Sequence, residues 1–283
     1  MRGPEVIART MSIPQPMGAS GVEWQYHSRS DRHSKVACWA VMFDLLNTSS
    51  LLREHVAAGK VSLAINRQMN NFQTGQRKNL DLVVARATGG DTGAAVSLDE
   101  LAARYAIQLD ESDRSALSAL PESPIGAAGS TVLVALEAKA CMTKHAGAGP
   151  RLFDELSSSH STVHGDNNNA LAVGFAMVNY ADRFASPVGA TNRNGPHTYS
   201  RHNQPAATEA VIRKLREINR RSGPHSGQAG FDAFGIIVVE LENDGSPMRI
   251  VTEPPAPQPD NDFFYDRMIV RTAHLYDANF SHV

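Results

Sequence analysis

The alternation of apolar and polar positions divides the chain into segments with different periods. Over residues 34–55, Val36, Trp39, Ala40, Phe43, Leu46, Leu51 and Leu52 recur at helical spacing, and Gly59 follows as a stop. Two short β-like runs come next, at residues 61–66 and 80–87. They are joined by a polar connection rich in Asn and Gln that contains Gly75, and antiparallel pairing of the two is expected. Helical spacing returns at 98–107 and 113–120, the latter closed by Pro121 and Pro124. The run 131–137 is apolar on both faces, as a central strand is. After Gly147, Gly149 and Pro150, a helix carries Leu152, Leu156 and Val163 on one stripe, with Phe153, His160 and His164 beside it.

Residues 171–179 and 234–241 read as two further buried strands. Between them lie a loop-like stretch at 186–207 and a helix at 208–221, with Thr208 as its N-cap. Four prolines from Pro254 to Pro259 then make a stiff connector to 263–276. Residues 1–30, mixed in character and holding Pro4, Pro14 and Pro16, predict a loose N-terminal arm. The sum is an α/β chain with a mixed β-sheet flanked by helices. Its expected layout is an arm over 1–30, a core over 31–185 with an insertion at about 88–130, and a C-terminal extension of the same domain over 186–283.

Composition narrows the class. No run approaches the roughly 18 apolar residues of a membrane span, and the N-terminus has no compact apolar signal region. Two cysteines, Cys38 and Cys141, make no disulfide framework, so reduced thiols in a cytoplasmic protein are expected. Lys plus Arg is 27 against 29 for Asp plus Glu, a net −2. That excludes a globally basic nucleic-acid coat protein, yet the total hides opposing parts. Residues 189–225 carry Arg193, Arg201, Arg213, Lys214, Arg216, Arg220 and Arg221 against Glu209 and Glu217, which is 7 − 2 = +5. Residues 226–283 carry three arginines against nine acids, which is 3 − 9 = −6.

Chemistry is expected where charge falls on buried strands. Asp81 lies in L-D-L-V-V, while Glu137 and Lys139 close T-V-L-V-A-L-E-A-K. Buried charges are normally paired or hold a metal. Alternation puts Glu137 and Lys139 on one face with Ala138 turned away. With Asp81 on the adjacent strand, two carboxylates and an ammonium converge, a set that suits Mg²⁺ and a substrate phosphate. The lysine is then placed to orient or deprotonate water, or to offset charge on phosphorus. A plain Glu–Lys salt bridge at a strand edge is the bland alternative.

The pair L-D-L-V-V and V-A-L-E-A-K resembles the metal site of the PD-(D/E)XK nuclease superfamily. The continuations M-T-K-H (142–145) and R-L-F-D-E-L (151–156) are reminiscent of bacterial restriction-type endonucleases. The resemblance covers roughly residues 34–180 and implies a restriction-endonuclease-like fold. By it, Asp81, Glu137 and the Ala138 main-chain carbonyl would bind Mg²⁺, with Mn²⁺ as a substitute, and Lys139 would be the catalytic lysine. Two departures stand out: no proline precedes Asp81, and the 137 − 81 = 56 residue separation implies a helical insertion. An acid on the first helix is common in the family, and Glu54 is the candidate here, with Asp44 as the other possibility.

The implied activity is Mg²⁺-dependent cleavage of DNA in restriction or phage defence, by a homodimer. An associated methyltransferase or other defence-system protein is a possible partner. Lys144, His145, Arg193, Arg201, Arg213 and Lys214 are the expected nucleic-acid contacts. Two other readings stay open: a non-catalytic nucleic-acid- or protein-binding module with a nuclease-like fold, and a zinc site made by Cys141, His145, His160 and His164.

Overall fold

The computed structural model describes residues 1–17, 21–87, 95–124, 131–187 and 198–283. Its centre is a six-stranded mixed sheet. In chain order the strands are β1 (Val61–Asn70), β2 (Arg77–Arg86), β3 (Val132–Cys141), β4 (Leu171–Asn179), β5 (Ala233–Glu240) and β6 (Arg249–Val251). They lie in the spatial order β6-β5-β4-β3-β2-β1. β1, β2 and β3 pair antiparallel, β3, β4 and β5 run parallel, and β6 returns antiparallel at the far edge. β4 is buried at every position. It has a parallel neighbour on each side and needs apolar residues on both faces, which is why its sequence runs apolar without alternation.

The helices are α1 (Gly3–Met11), α2 (Arg32–Thr48), α3 (Ser50–Ala57), α4 (Leu98–Arg104), α5 (Glu111–Ser118), α6 (His145–Asp166), α7 (Ala206–Arg216) and α8 (Tyr265–Asn279). α2 and α8 cover one face of the sheet, sharing a core with Leu82, Val84 and Leu136. α6 and α7 cover the other, packing Leu152, Leu156, Val211 and Leu215 with Val83, Ala135 and Ala176. In chain order the core elements run α2–β1–β2–β3–α6–β4, with α3 between α2 and β1. Between β2 and β3 lie α4 and α5, so the insertion at 88–130 carries helices as expected, with a short antiparallel pair, Ala95–Val96 and Ser123–Pro124, closing around them.

Several expectations need correction. Residues 1–30 are no loose arm: α1 buries Val6, Ile7 and Met11 completely against the core that includes α2. Pro4 does not break the helix, because it sits in the first turn of α1, where its missing N–H costs nothing. The predicted 34–55 helix is two helices. Ser49 is extended between them, and its side chain accepts the Leu52 N–H that opens α3. Thr208 is not an N-cap; it is buried within α7 and donates its hydroxyl hydrogen bond to the Asn179 carbonyl at 2.9 Å. The helix after Gly147 begins earlier, at His145, and takes Pro150 into its second turn.

The largest difference is the connection at 67–79, which is itself strand. β1 and β2 run to Asn70 and Arg77 and close a long hairpin. Midway along it the two strands change face. Leu63 and Leu82 belong to the core under α2, whereas Met69 and Leu80 belong to the core under α6. Residues an even number apart share a face in a regular strand, so the chain turns over between them. The turn-over is at Asn66, left-handed at φ 53, where the ladder passes from Ile65↔Leu82 to Arg67↔Leu80. Asn is a side chain that tolerates this conformation. The residue it leaves unpaired on β2 is Asp81.

Candidate functional site

The β2–β3 ladder ends with Leu82 opposite Leu136, which sets Asp81 beside Glu137. There the strands splay, and the Asp81 carboxylate accepts the Ala138 N–H at 3.0 Å, taking the place of a strand carbonyl. α2 closes over it with Lys35, Cys38 and Trp39. Burial, and next the charge of Glu137, push the Asp81 carboxyl up to about 6. Asp81 and Glu137 are therefore close enough to repel, as two carboxylates sharing one site do.

Glu137 is 1% exposed. In the parallel register it lies beside Gly174 of β4, which lies beside Phe234 of β5. The Phe234 ring fills the space over Gly174, since a Cβ there would come within 2.3 Å of it. An aromatic wall thus stands one strand away from the carboxylate. Glu137 Oε1 meets Lys139 Nζ at 2.7 Å and Lys78 Nζ at 3.6 Å. Lys78 also donates to the Glu155 carbonyl and the Ser159 hydroxyl of α6. Lys139 lies 3.9 Å from the Glu155 carboxylate, which Arg151 holds at 2.6 Å. Burial opposes the charge on Lys139, but Glu137 outweighs it and keeps the ammonium above the usual lysine range.

The other carboxylate oxygen, Glu137 Oε2, is buried and has no hydrogen-bond partner. A lone buried carboxylate oxygen is expensive, and a cation shared with Asp81 is one group that satisfies it. Among the described residues no three His, Cys, Asp or Glu side chains converge on one point. Two carboxylates are nonetheless what Mg²⁺ uses, because it keeps most of its waters and takes further oxygens from substrate phosphate. The donor set, all oxygen and beside an ammonium, fits that ion.

The other expected site residues separate. Glu54 is exposed on α3, whose His55 binds the Tyr276 hydroxyl of α8 at 2.9 Å. That places it by the Val61 end of β1, whereas Asp81 is beside Asn66, five residues or about 16 Å further along. Glu54 is thus not part of the site. Asp44 is buried elsewhere, accepting the Arg2 and Gly3 N–H groups that open α1. His145 is no phosphate contact: it is buried, with Nε2 on the Asn179 carbonyl at 2.7 Å. Lys144, Arg201 and Arg213 are exposed, while Arg193 lies outside the described residues. Lys214 is committed to Glu217 at 2.6 Å and stacks over Phe153. Arg220 pairs with Asp262 and Arg221 is buried against Asp232, so the +5 of 189–225 overstates the free surface charge.

The four residues of the zinc reading do not meet. His145 packs on His202, 4.5 Å between ring centroids. His164 binds the Gly230 carbonyl, and His160 packs edge-on against Phe231. Burial pushes His160 down from 6.5 to about 4. The unfolded chain takes up a proton below 6.5 that the folded chain refuses, so stability falls as pH drops through that window. We expect His160→Leu to flatten this fall, by roughly 2 kcal/mol between the two values, in urea titrations across pH. An equal slope in both proteins would exclude His160 as its source.

Lys78, Ser159 and Glu155 were not expected at the site. Glu155 carries a signal in R-L-F-D-E-L, since Arg151 and Glu155 are an i,i+4 pair. Lys78 carries none, because its strand read as a loop. No family model matches the chain, and no curated protein or solved structure is significantly similar to it.

Proposed function

We propose that the chain is a Mg²⁺-dependent endonuclease that hydrolyses phosphodiester bonds of DNA on a restriction-endonuclease-like core. The observation that carries this reading is Glu137, a fully buried carboxylate with one oxygen on Lys139 and the other unpartnered, beside Asp81 where the β2–β3 ladder stops in mid-strand. The α2–β1–β2–β3–α6–β4 order and its pairing directions support the core assignment.

Asp81, Glu137 and the Ala138 carbonyl are the groups that would hold Mg²⁺, which when bound polarises a water and a phosphate oxygen. The Ala138 N–H steadies the Asp81 carboxylate for that role. Lys139, held charged by Glu137, is a poor base and a good partner for negative charge growing on phosphorus. Glu155 and Arg151 limit where its ammonium can go. The burial of Glu137 strengthens its interactions. A homodimer lets each copy cut one strand, and restriction or phage defence, alongside a methyltransferase or other defence protein, is the setting we infer.

Supercoiled plasmid with Mg²⁺ tests the reading. The wild type converts it to nicked and linear forms, chelation stops the reaction, and Lys139→Ala slows it by about 10²–10³-fold. Cleavage by Lys139→Ala at the wild-type rate would refute the site. Binding of DNA without any metal-dependent turnover would leave a non-catalytic binding module instead.

A further inference from the structure

We propose that the outer half of the β1–β2 hairpin, residues 66–80, is a ribbon that enters the major groove of duplex DNA next to the cleavage site. The inference rests on the nuclease reading for its substrate. From residue 55 to residue 80 the sequence contains no Asp or Glu; of the three cations at 66–80, Lys78 is turned to Glu137 and Arg67 is half-buried, while Arg77 is exposed. Phosphate binding requires such a stretch, whatever the overall balance.

The ribbon has two unlike faces. Met69 and Leu80 point inward and join the core that includes Leu156 and Val163 of α6. The opposite face is set by the pairs Gln68↔Asn79 and Asn70↔Arg77. Gln68, Arg77 and Asn79 on it are exposed, as is Asn66 at its base. Amides and arginine are the side chains that read adenine and guanine edges, and a two-stranded ribbon is narrow enough for the major groove. Among the described residues Arg77 has no ion-pair partner, unlike Lys214 and Arg220.

The tip carries Phe72, 76% exposed, more than any other large apolar side chain among the described residues. Its backbone is nonetheless fixed. Phe72 N–H donates to the Gly165 carbonyl at 3.1 Å. The Asn71 side chain accepts from Gln73 and Thr74 N–H and donates to the Ser161 carbonyl at 3.0 Å. A ring held out on an anchored turn is placed to touch a thymine methyl. β1 is an edge strand, and protection against edge pairing accounts for a polar face; it does not account for Phe72 or for the absence of carboxylates.

The ribbon is also joined to the site. Lys78 reaches Glu137 at 3.6 Å, and Asn79 is two residues from Asp81. DNA lying on the amide face is delivered to the carboxylates without a further element.

The test is fluorescence anisotropy with a labelled mixed-sequence DNA duplex and an RNA strand of the same sequence, in chelator. The proteins are wild type, the double variant Phe72→Ala/Arg77→Ala, and Arg114→Ala as an exposed-cation control on α5. Plasmid nicking in Mg²⁺ is measured in parallel. We expect the double variant to bind duplex about 10–100-fold more weakly, with a salt slope lower by about one. The control should stay within about twofold of wild type, and circular dichroism should be unchanged. Wild-type affinity in the double variant, or a wild-type preference for the RNA, overturns the ribbon. If the wild type nicks plasmid while the double variant binds normally, the ribbon fails and the nuclease reading stands. If the ribbon carries binding but no nicking occurs in Mg²⁺, the ribbon stands and the nuclease reading fails. No binding to either nucleic acid overturns the ribbon outright.

Discussion

On the proposed nuclease reading, we expect Glu137→Gln to lower Mg²⁺-dependent DNA cleavage by about 10³-fold or more. The amide has the shape of the carboxylate but none of its charge, and it removes one of the two anions available to the ion. It also removes the anion between Lys139 and Lys78, which face Glu137 Oε1 at 2.7 and 3.6 Å. The folding cost is smaller than for most buried ion pairs. Lys139 keeps Glu155 at 3.9 Å and Lys78 keeps its hydrogen bonds to α6, and both ammoniums are partly solvated. Thermal melting is therefore expected to shift little while a gel time course shows activity lost. Cleavage within about tenfold of wild type would mean that Glu137 is only a structural counter-ion to the lysines.

Arg221→Met has its effect on stability, about 3–5 kcal/mol. Arg221 and Asp232 have side chains only 1% exposed and meet at 2.9 Å. The guanidinium also donates to the Asn168 and Ala170 carbonyls at 3.1 and 2.7 Å. The second Asp232 oxygen accepts the Ala172 N–H at 2.8 Å. The cluster ties the entry of β4 to the entry of β5, so it fixes the register that sets Phe234 over Gly174, the neighbour of Glu137 on β4. Methionine fills the volume but leaves a buried charged carboxylate with only the Ala172 N–H, and two carbonyls without the donors Arg221 gave them. Urea unfolding monitored by tryptophan fluorescence measures the loss. A change below about 1 kcal/mol would show that water or a neighbour replaces the guanidinium.

Much of the site was legible because burial and charge conflict in only a few strand positions. Asp81, Glu137 and Lys139 stand out in apolar runs, and the structure sets the first two side by side with Lys139 on Glu137, though in mid-strand where the β2–β3 ladder stops and not at a strand end. The alternation rule also placed Ala138 correctly, on the core side away from Glu137. Lys78 was hidden by composition. The stretch 67–79 has too few apolar residues to read as strand, because one face is solvated and the other is held by only Met69 and Leu80. Arg221 was misread as surface charge for the converse reason. Its partner Asp232 lies 11 residues away in sequence and across a turn, and no local period reports such a pairing. His145 was misjudged because burial of a lone histidine depends on Asn179, 34 residues further on.

On the proposed reading Asp81 and Glu137 share a divalent cation. Crystals soaked in Mn²⁺ test it through anomalous scattering. We expect a peak about 2.1 Å from an oxygen of each carboxylate, lost in Glu137→Gln. A Mn²⁺ concentration that supports cleavage, with no peak between Asp81 and Glu137, would contradict it.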